Sequence, residues 1–194
     1  MSATRLLVLG VVRMHGQAHG YRVGRELLSW NAGEWANVKW GSIYHALRKL
    51  SQEGKLREFV ADGDDVVDRT SYALTDDGEA EFHRLLCAAL SHSGHDHALL
   101  CAGVTLMTAL PRAEAIAMLE RRLAGLEEVG SEVRSASGEG HDRPPHLAEL
   151  FGLWRSTIDA ETGWTRRLID SLGEGRYTMA DDDAGAFGLP PTGD

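Results

Sequence analysis

The chain has 194 residues, 43% of them hydrophobic and 25% charged, with a net charge of −9. That balance excludes an intrinsically disordered chain, and the length allows one ordinary domain plus a second small module. No run of about 18 apolar residues occurs, so no membrane span is expected. Two cysteines, Cys87 and Cys101, exclude a disulfide framework.

Residues 4–15 read as a helix with Leu6, Leu7, Leu9, Gly10 and Val11 facing inward. No small-residue cleavage pattern follows Met1–Gly10, and Val11-Val12-Arg13 continue the helical pattern. A signal peptide is therefore not expected, and the cytoplasm is the expected location. His15–Gly20 reads as a turn. Tyr21, Val23, Leu27 and Leu28 then recur at helical spacing to about Trp30, with Gly33 as a left-handed stop. A short connection holding Trp35, Val38 and Trp40 leads to a third helix from Gly41 to Glu53, closed by Gly54.

Two extended runs, Lys55–Ala61 and Val66–Leu74, flank the turn sequence Asp62-Gly63-Asp64-Asp65 and predict a two-stranded ribbon with one buried face. Thr75 is placed as the N-cap of a further helix whose first residues are acidic, as the helix dipole favours. Beyond about His97 the chain is helix-periodic over 97–109, 112–134 and 146–172, with a polar loop at 135–145. The last residues, 173–194, lack periodicity and predict a poorly ordered tail. The expected fold is mainly α with a small β-ribbon. A winged helix-turn-helix occupies 1–92 and an antiparallel helical dimerisation domain occupies 93–172.

The charge is unevenly spread. Residues 1–60 carry nine Lys/Arg against four acidic residues, leaving −14 for the remainder. A basic front and an acidic back suit a protein that meets a polyanion with one face. Wound at about 100° per residue from Ile43, the third helix places Leu47 and Leu50 within ~40° of it. Tyr44, His45, Arg48, Lys49 and Gln52 fall on the opposite side. Such a face suits major-groove entry, and Ser42 with the first N–H groups suits a phosphate.

Gly20-Tyr21, Gly41-Ser42-Ile43-Tyr44 with Ala46-Leu47 and Leu50, Glu53-Gly54, and Tyr72-Ala73-Leu74-Thr75 with Gly78 together resemble the PadR family of transcription regulators over residues 4–90. The later segments Leu110–Glu114, Leu119–Leu123 and Glu161–Trp164 resemble the helical dimerisation domain of its virulence-activator-like branch. The resemblance implies a homodimer on a roughly palindromic operator in double-stranded DNA, usually as a repressor. It also implies DNA contacts from Ser42, Tyr44, His45, Arg48 and Lys49. This sequence departs from the family pattern in two places. His45 replaces the usual proline, and the acidic wing tip Asp62–Asp65 would repel phosphate. Lys55, Arg57 and Arg69, lower on the ribbon, are therefore the better wing contacts.

Other constellations yield weaker expectations. His83, Cys87, His92, His95, His97 and Cys101 are soft-metal donors, with His83 and Cys87 one helical turn apart, as in a metal-responsive regulator. No CxxC or HxxxH motif accompanies them, so small buried cysteines and solvated histidines account for the set more simply, and no metal or cofactor is assigned. Phe151, Trp154 and Trp164 form an aromatic stripe that packs a dimer core or lines a pocket for a small aromatic or drug-like effector. No phosphate loop, nucleophile elbow, HExxH or dinucleotide fingerprint occurs, so no enzyme is expected. The acidic ribbon tip also leaves open a winged-helix module that binds only protein partners.

Overall fold

The computed structural model describes residues 2–60, 70–136, 144, 146–183 and 186. Helix α1 (Ala3–His15) is the hub, and Leu6 through Val12 are all buried. A helix closed in on every side reads as a continuous apolar run, and helices α2, α4, α5 and α6 all pack on this one. Those partners are α2 (Gly20–Ser29), α4 (Trp40–Gln52), α5 (Asp76–Ser91) and α6 (His97–Leu106).

The stretch read as a turn, His15–Gly20, contains a two-residue strand, β1 (Ala18–His19). It pairs antiparallel with β3 (Thr70–Leu74), placing Ala18 opposite Tyr72 and His19 opposite Ser71. Two residues carry no periodicity, so only the partner strand reveals it. On the other side β3 pairs with β2 (Leu56–Val60), in register from Leu56–Leu74 to Val60–Thr70. The ribbon has a buried face only at its base, through Leu56 and Tyr72, while Phe59 and Val60 are exposed because the ribbon projects beyond the core. The wing tip Asp62–Asp65 and Arg69 lie outside the described residues.

Helix α2 buries Val23 and Leu27 as expected, but Tyr21 and Leu28 face outward. The left-handed residue that follows is Asn31 (φ 59°), a type whose short polar side chain tolerates that region. Gly33 instead lies inside a short helix, α3 (Ala32–Trp35). Thr75 caps α5 as predicted. Its Oγ1 accepts from the Gly78 amide at 3.1 Å and donates to the Gly54 carbonyl at 2.7 Å. A Cβ on Gly78 would lie 2.1 Å from the Lys55 carbonyl oxygen, so only glycine lets the ribbon base lie on α5.

A 3₁₀ turn (Met107–Ala109) joins α6 to α7 (Arg112–Ala136), which packs along α8 (His146–Gly173). Arg112 meets Leu172, Arg122 meets Glu161 and Gly130 meets Ile158, so the two helices run antiparallel. Arg122 is almost fully buried. It pairs with Glu161 at 2.6 Å and donates to the His92 carbonyl, tying α8 to the end of α5.

Two expectations of organisation change. One core runs from Ala3 to Leu119 and takes in Leu168, Leu172 and Met179, so packing does not break at residue 92. The tail does not lose order at residue 173. Met179 is fully buried, and the Ala180 amide donates to the Leu110 carbonyl at 3.3 Å. Arg112 donates to the carbonyls of Leu172 and Tyr177 and to Asp182. One apolar anchor and one arginine hold this segment, a pattern without period. Among the described residues no helix is long and apolar enough to cross a membrane.

Candidate nucleic-acid interface

Helix α4 divides sharply. Ile43, Leu47 and Leu50 are fully buried, whereas His45, Arg48, Lys49 and Gln52 are exposed. The three buried side chains face the core and fix the helix, so the four polar ones project together and line a shallow surface groove. The side chains of Arg48 and Lys49 make no ion pair or hydrogen bond among the described residues. Other cations of the basic front are engaged. Arg5 pairs with Glu53 and Glu81, Arg13 with Glu79, and Lys55 with Asp77 at 3.5 Å. Lys55 therefore sits before the ribbon with its charge partly answered. Arg57 on β2, opposite Ala73, is exposed and has no ion pair among the described residues.

The helix starts one residue earlier than predicted, with Lys39 as N-cap. This moves Ser42 from the helix start to the third position. Its Oγ donates to the Lys39 carbonyl (2.8 Å) and accepts from the Lys39 amide (3.0 Å). The hydroxyl is thus used within the protein. The amides of Trp40, Gly41 and Ser42 remain as the donors that a helix N-terminus leaves without internal acceptors.

Beside that N-terminus lies an aromatic row absent from the sequence expectation. Tyr21 stacks on Trp40 (centroids 5.8 Å apart, planes 12° apart), and Trp40 stacks on Tyr44 (6.4 Å, 27°). Tyr44 is half-buried against Gly20, where a Cβ would lie 2.5 Å from its ring. Tyr44 therefore also seats α2 on α4. Arg25, one turn after Tyr21, hydrogen-bonds it, and Lys39 stands exposed at the cap. The one-turn spacing of Tyr21 and Arg25 was visible in the sequence, but the alignment of α2 with the start of α4 was not.

Residues 8–84 match the transcriptional regulator PadR-like family. Those residues therefore carry a PadR-like domain. That domain is of a DNA-binding, transcription-regulator type. Its helices and three-stranded sheet are the winged helix-turn-helix expected of that family.

Similar solved structures include Bacillus subtilis PadR in complex with operator DNA, at 20% identity and a TM-score of 0.39, covering 87% of this chain and 98% of that one. Another is B. subtilis PadR in complex with p-coumaric acid, at 18% identity and a TM-score of 0.38, covering 88% and 99%. A third is the PadR-like transcriptional regulator BC1756 from Bacillus cereus, at 17% and 0.36, covering 89% and 99%. No curated protein matches the chain in sequence.

The expected aromatic stripe, which lies beyond the PadR-like domain, is split. An open cleft of about 890 Å³ lies between α6 and α8, walled by Trp35, Leu100, Cys101, Val104 and Trp164. Phe151 and Trp154 do not line it. They pair edge-to-face at 5.5 Å, more than two turns before Trp164 on α8, among exposed Leu150 and Leu153. Trp35 was not expected there and arrives through the short helix α3. Its Nε1 donates to the Trp30 carbonyl at 3.0 Å.

The soft-donor set is split as well. His97 and Cys101 lie on the cleft wall. His83 and Cys87 lie on α5 beside Glu114 of α7, a residue outside the predicted set. His95 joins neither group among the described residues.

Proposed function

We propose that the chain is a homodimeric repressor that places α4 of each copy in successive major grooves, about 34 Å or ~10 bp apart. The outward projection of Arg48 and Lys49 from a helix anchored by three buried residues carries this reading. Both cations are available for phosphates or guanine edges. His45 and the amides at the start of α4 complete the contact, with Lys39 and Arg25 beside them and Arg57 on the ribbon. Half-buried Tyr44 contributes its exposed edge. Ser42 contributes through its amide, its hydroxyl being engaged with Lys39.

The second copy covers the first half of α8, where Leu150, Leu153 and Trp154 leave an apolar face bare. The cleft beside Trp164 takes an uncharged planar aromatic. Its hydroxyls are spent within their own helices, Ser156 on the Gly152 carbonyl and Thr157 on the Leu153 carbonyl. No Lys or Arg among the described residues lines the cleft to answer an anion. Trp35 stands five residues before α4 begins, so a ligand pressing on it shifts the reading helix. An effector acts by favouring a dimer geometry that no longer fits the operator spacing.

The test is operator affinity, on fragments selected from genomic DNA, measured across several salt concentrations. Removing Arg48 and Lys49 from both copies deletes four cations, and each phosphate contact contributes about 0.9 to the slope of log K against log salt. The double alanine variant should lose a slope of about 3 to 4 if all four contact phosphate. An unchanged slope and affinity in a folded dimer would refute the placement.

A further inference from the structure

We propose that His83, Cys87 and Glu114 form a Zn²⁺ site that clasps α5 to α7. Their donor atoms lie within 4.8 Å of one another. His83 Nε2 is 2.8 Å from Glu114 Oε1, Cys87 Sγ is 3.5 Å from the same oxygen, and the nearer His83 nitrogen is 3.8 Å from the sulfur. Zinc bonds of about 2.0–2.1 Å to N and O and ~2.3 Å to S, at tetrahedral angles, set donors roughly 3.3–3.6 Å apart. The sulfur lies at such a separation from Glu114, and the His83 nitrogen has only about 0.2 Å to close on it. The imidazole–carboxylate contact has to open by about half an ångström, which the exposed His83 ring allows by turning about its side-chain bonds. Its exposure also leaves a solvent-facing fourth position for water.

Imidazole, thiolate and carboxylate are the donor types zinc takes. The Cys87 thiol donates to the Glu114 carboxylate at 3.5 Å. A cysteine binds zinc as its thiolate, so zinc uptake releases a proton. Position gives the site its consequence. Thr75, the N-cap of α5, is bound to the ribbon base, and α7 is paired with α8. A metal bridging them fixes the DNA-binding unit against the long helices. Zinc binding itself does not depend on the operator reading, and only its effect on DNA does.

The test uses the untagged full chain stripped with chelator, titrated with ZnCl₂ by calorimetry and with Co²⁺ by absorption. Expected results are one ion per chain, a thiolate-to-cobalt charge-transfer band, a zinc-dependent rise in Tm and proton release that varies with buffer. Cys87→Ser and Glu114→Gln should weaken zinc by more than about a hundredfold, above the range for outer-shell changes. Their metal-free Tm should stay near that of the parent, and His95→Gln should bind normally. The proposal is overturned if no thiolate band appears, if Cys87→Ser binds zinc unchanged, or if His95→Gln abolishes binding, which would place the ion in the 92–97 loop.

Discussion

Gly41→Ala separates the demands of the fold from those of DNA. Gly41 is exposed in the first turn of α4, and a Cβ there would meet nothing within 4 Å. Its backbone is not left-handed, so folding gives no reason for glycine. Alanine is favoured over glycine in a helix by about 0.5–1 kcal/mol. For a chain of this size that is a rise in Tm of roughly 1–4 °C.

The same methyl group would stand where the account brings a phosphate against the Gly41 amide. Losing one hydrogen bond to a charged group costs about 1.5–3 kcal/mol, or roughly 10- to 100-fold in affinity. The variant should therefore melt higher and bind operator more weakly, as read by calorimetry and fluorescence anisotropy on one preparation. If stability rises and affinity holds, no phosphate approaches this turn and the reasoning fails.

Gly78→Ala should act in the opposite sense on stability. The contact it would make is with the backbone of Lys55, so a shift costing about 1–3 kcal/mol outweighs the gain in helix propensity and Tm should fall. An unchanged Tm would show that the ribbon base can move freely. Arg122→Ala should lower Tm by roughly 5–10 °C. Breaking a buried pair costs about 3–5 kcal/mol, discounted here because Glu161 is partly exposed. A loss confined to 1–2 °C would mean that α8 does not depend on that pair. Ala160→Trp, which fills the cleft, should abolish quenching of tryptophan fluorescence by an uncharged planar aromatic. Undiminished quenching would place the ligand elsewhere.

The sequence was most legible where one helix face alternates with another. Ile43, Leu47 and Leu50 on one side and Arg48 and Lys49 on the other were set by a period that needs no tertiary information. Thr75 as N-cap was equally local. Elements defined by a distant partner stayed hidden. The Ala18–His19 strand exists through Tyr72 and Ser71, and the ordered stretch past Gly173 exists through Arg112 and Leu110. Site composition failed for the same reason. Trp35 reaches the cleft through α3, and Glu114 reaches Cys87 across 27 residues. Ser42 falls one position later in the helix than expected, and its hydroxyl closes on the Lys39 backbone.

Photo-crosslinking from position 45, with the reactive group replacing the His45 side chain, probes the contact between α4 and bases most directly. On a retained operator fragment, adducts are expected at two base positions about one helical turn apart, ~10 bp, symmetric about the centre. Adducts from position 59 on the ribbon and none from position 45 would contradict it.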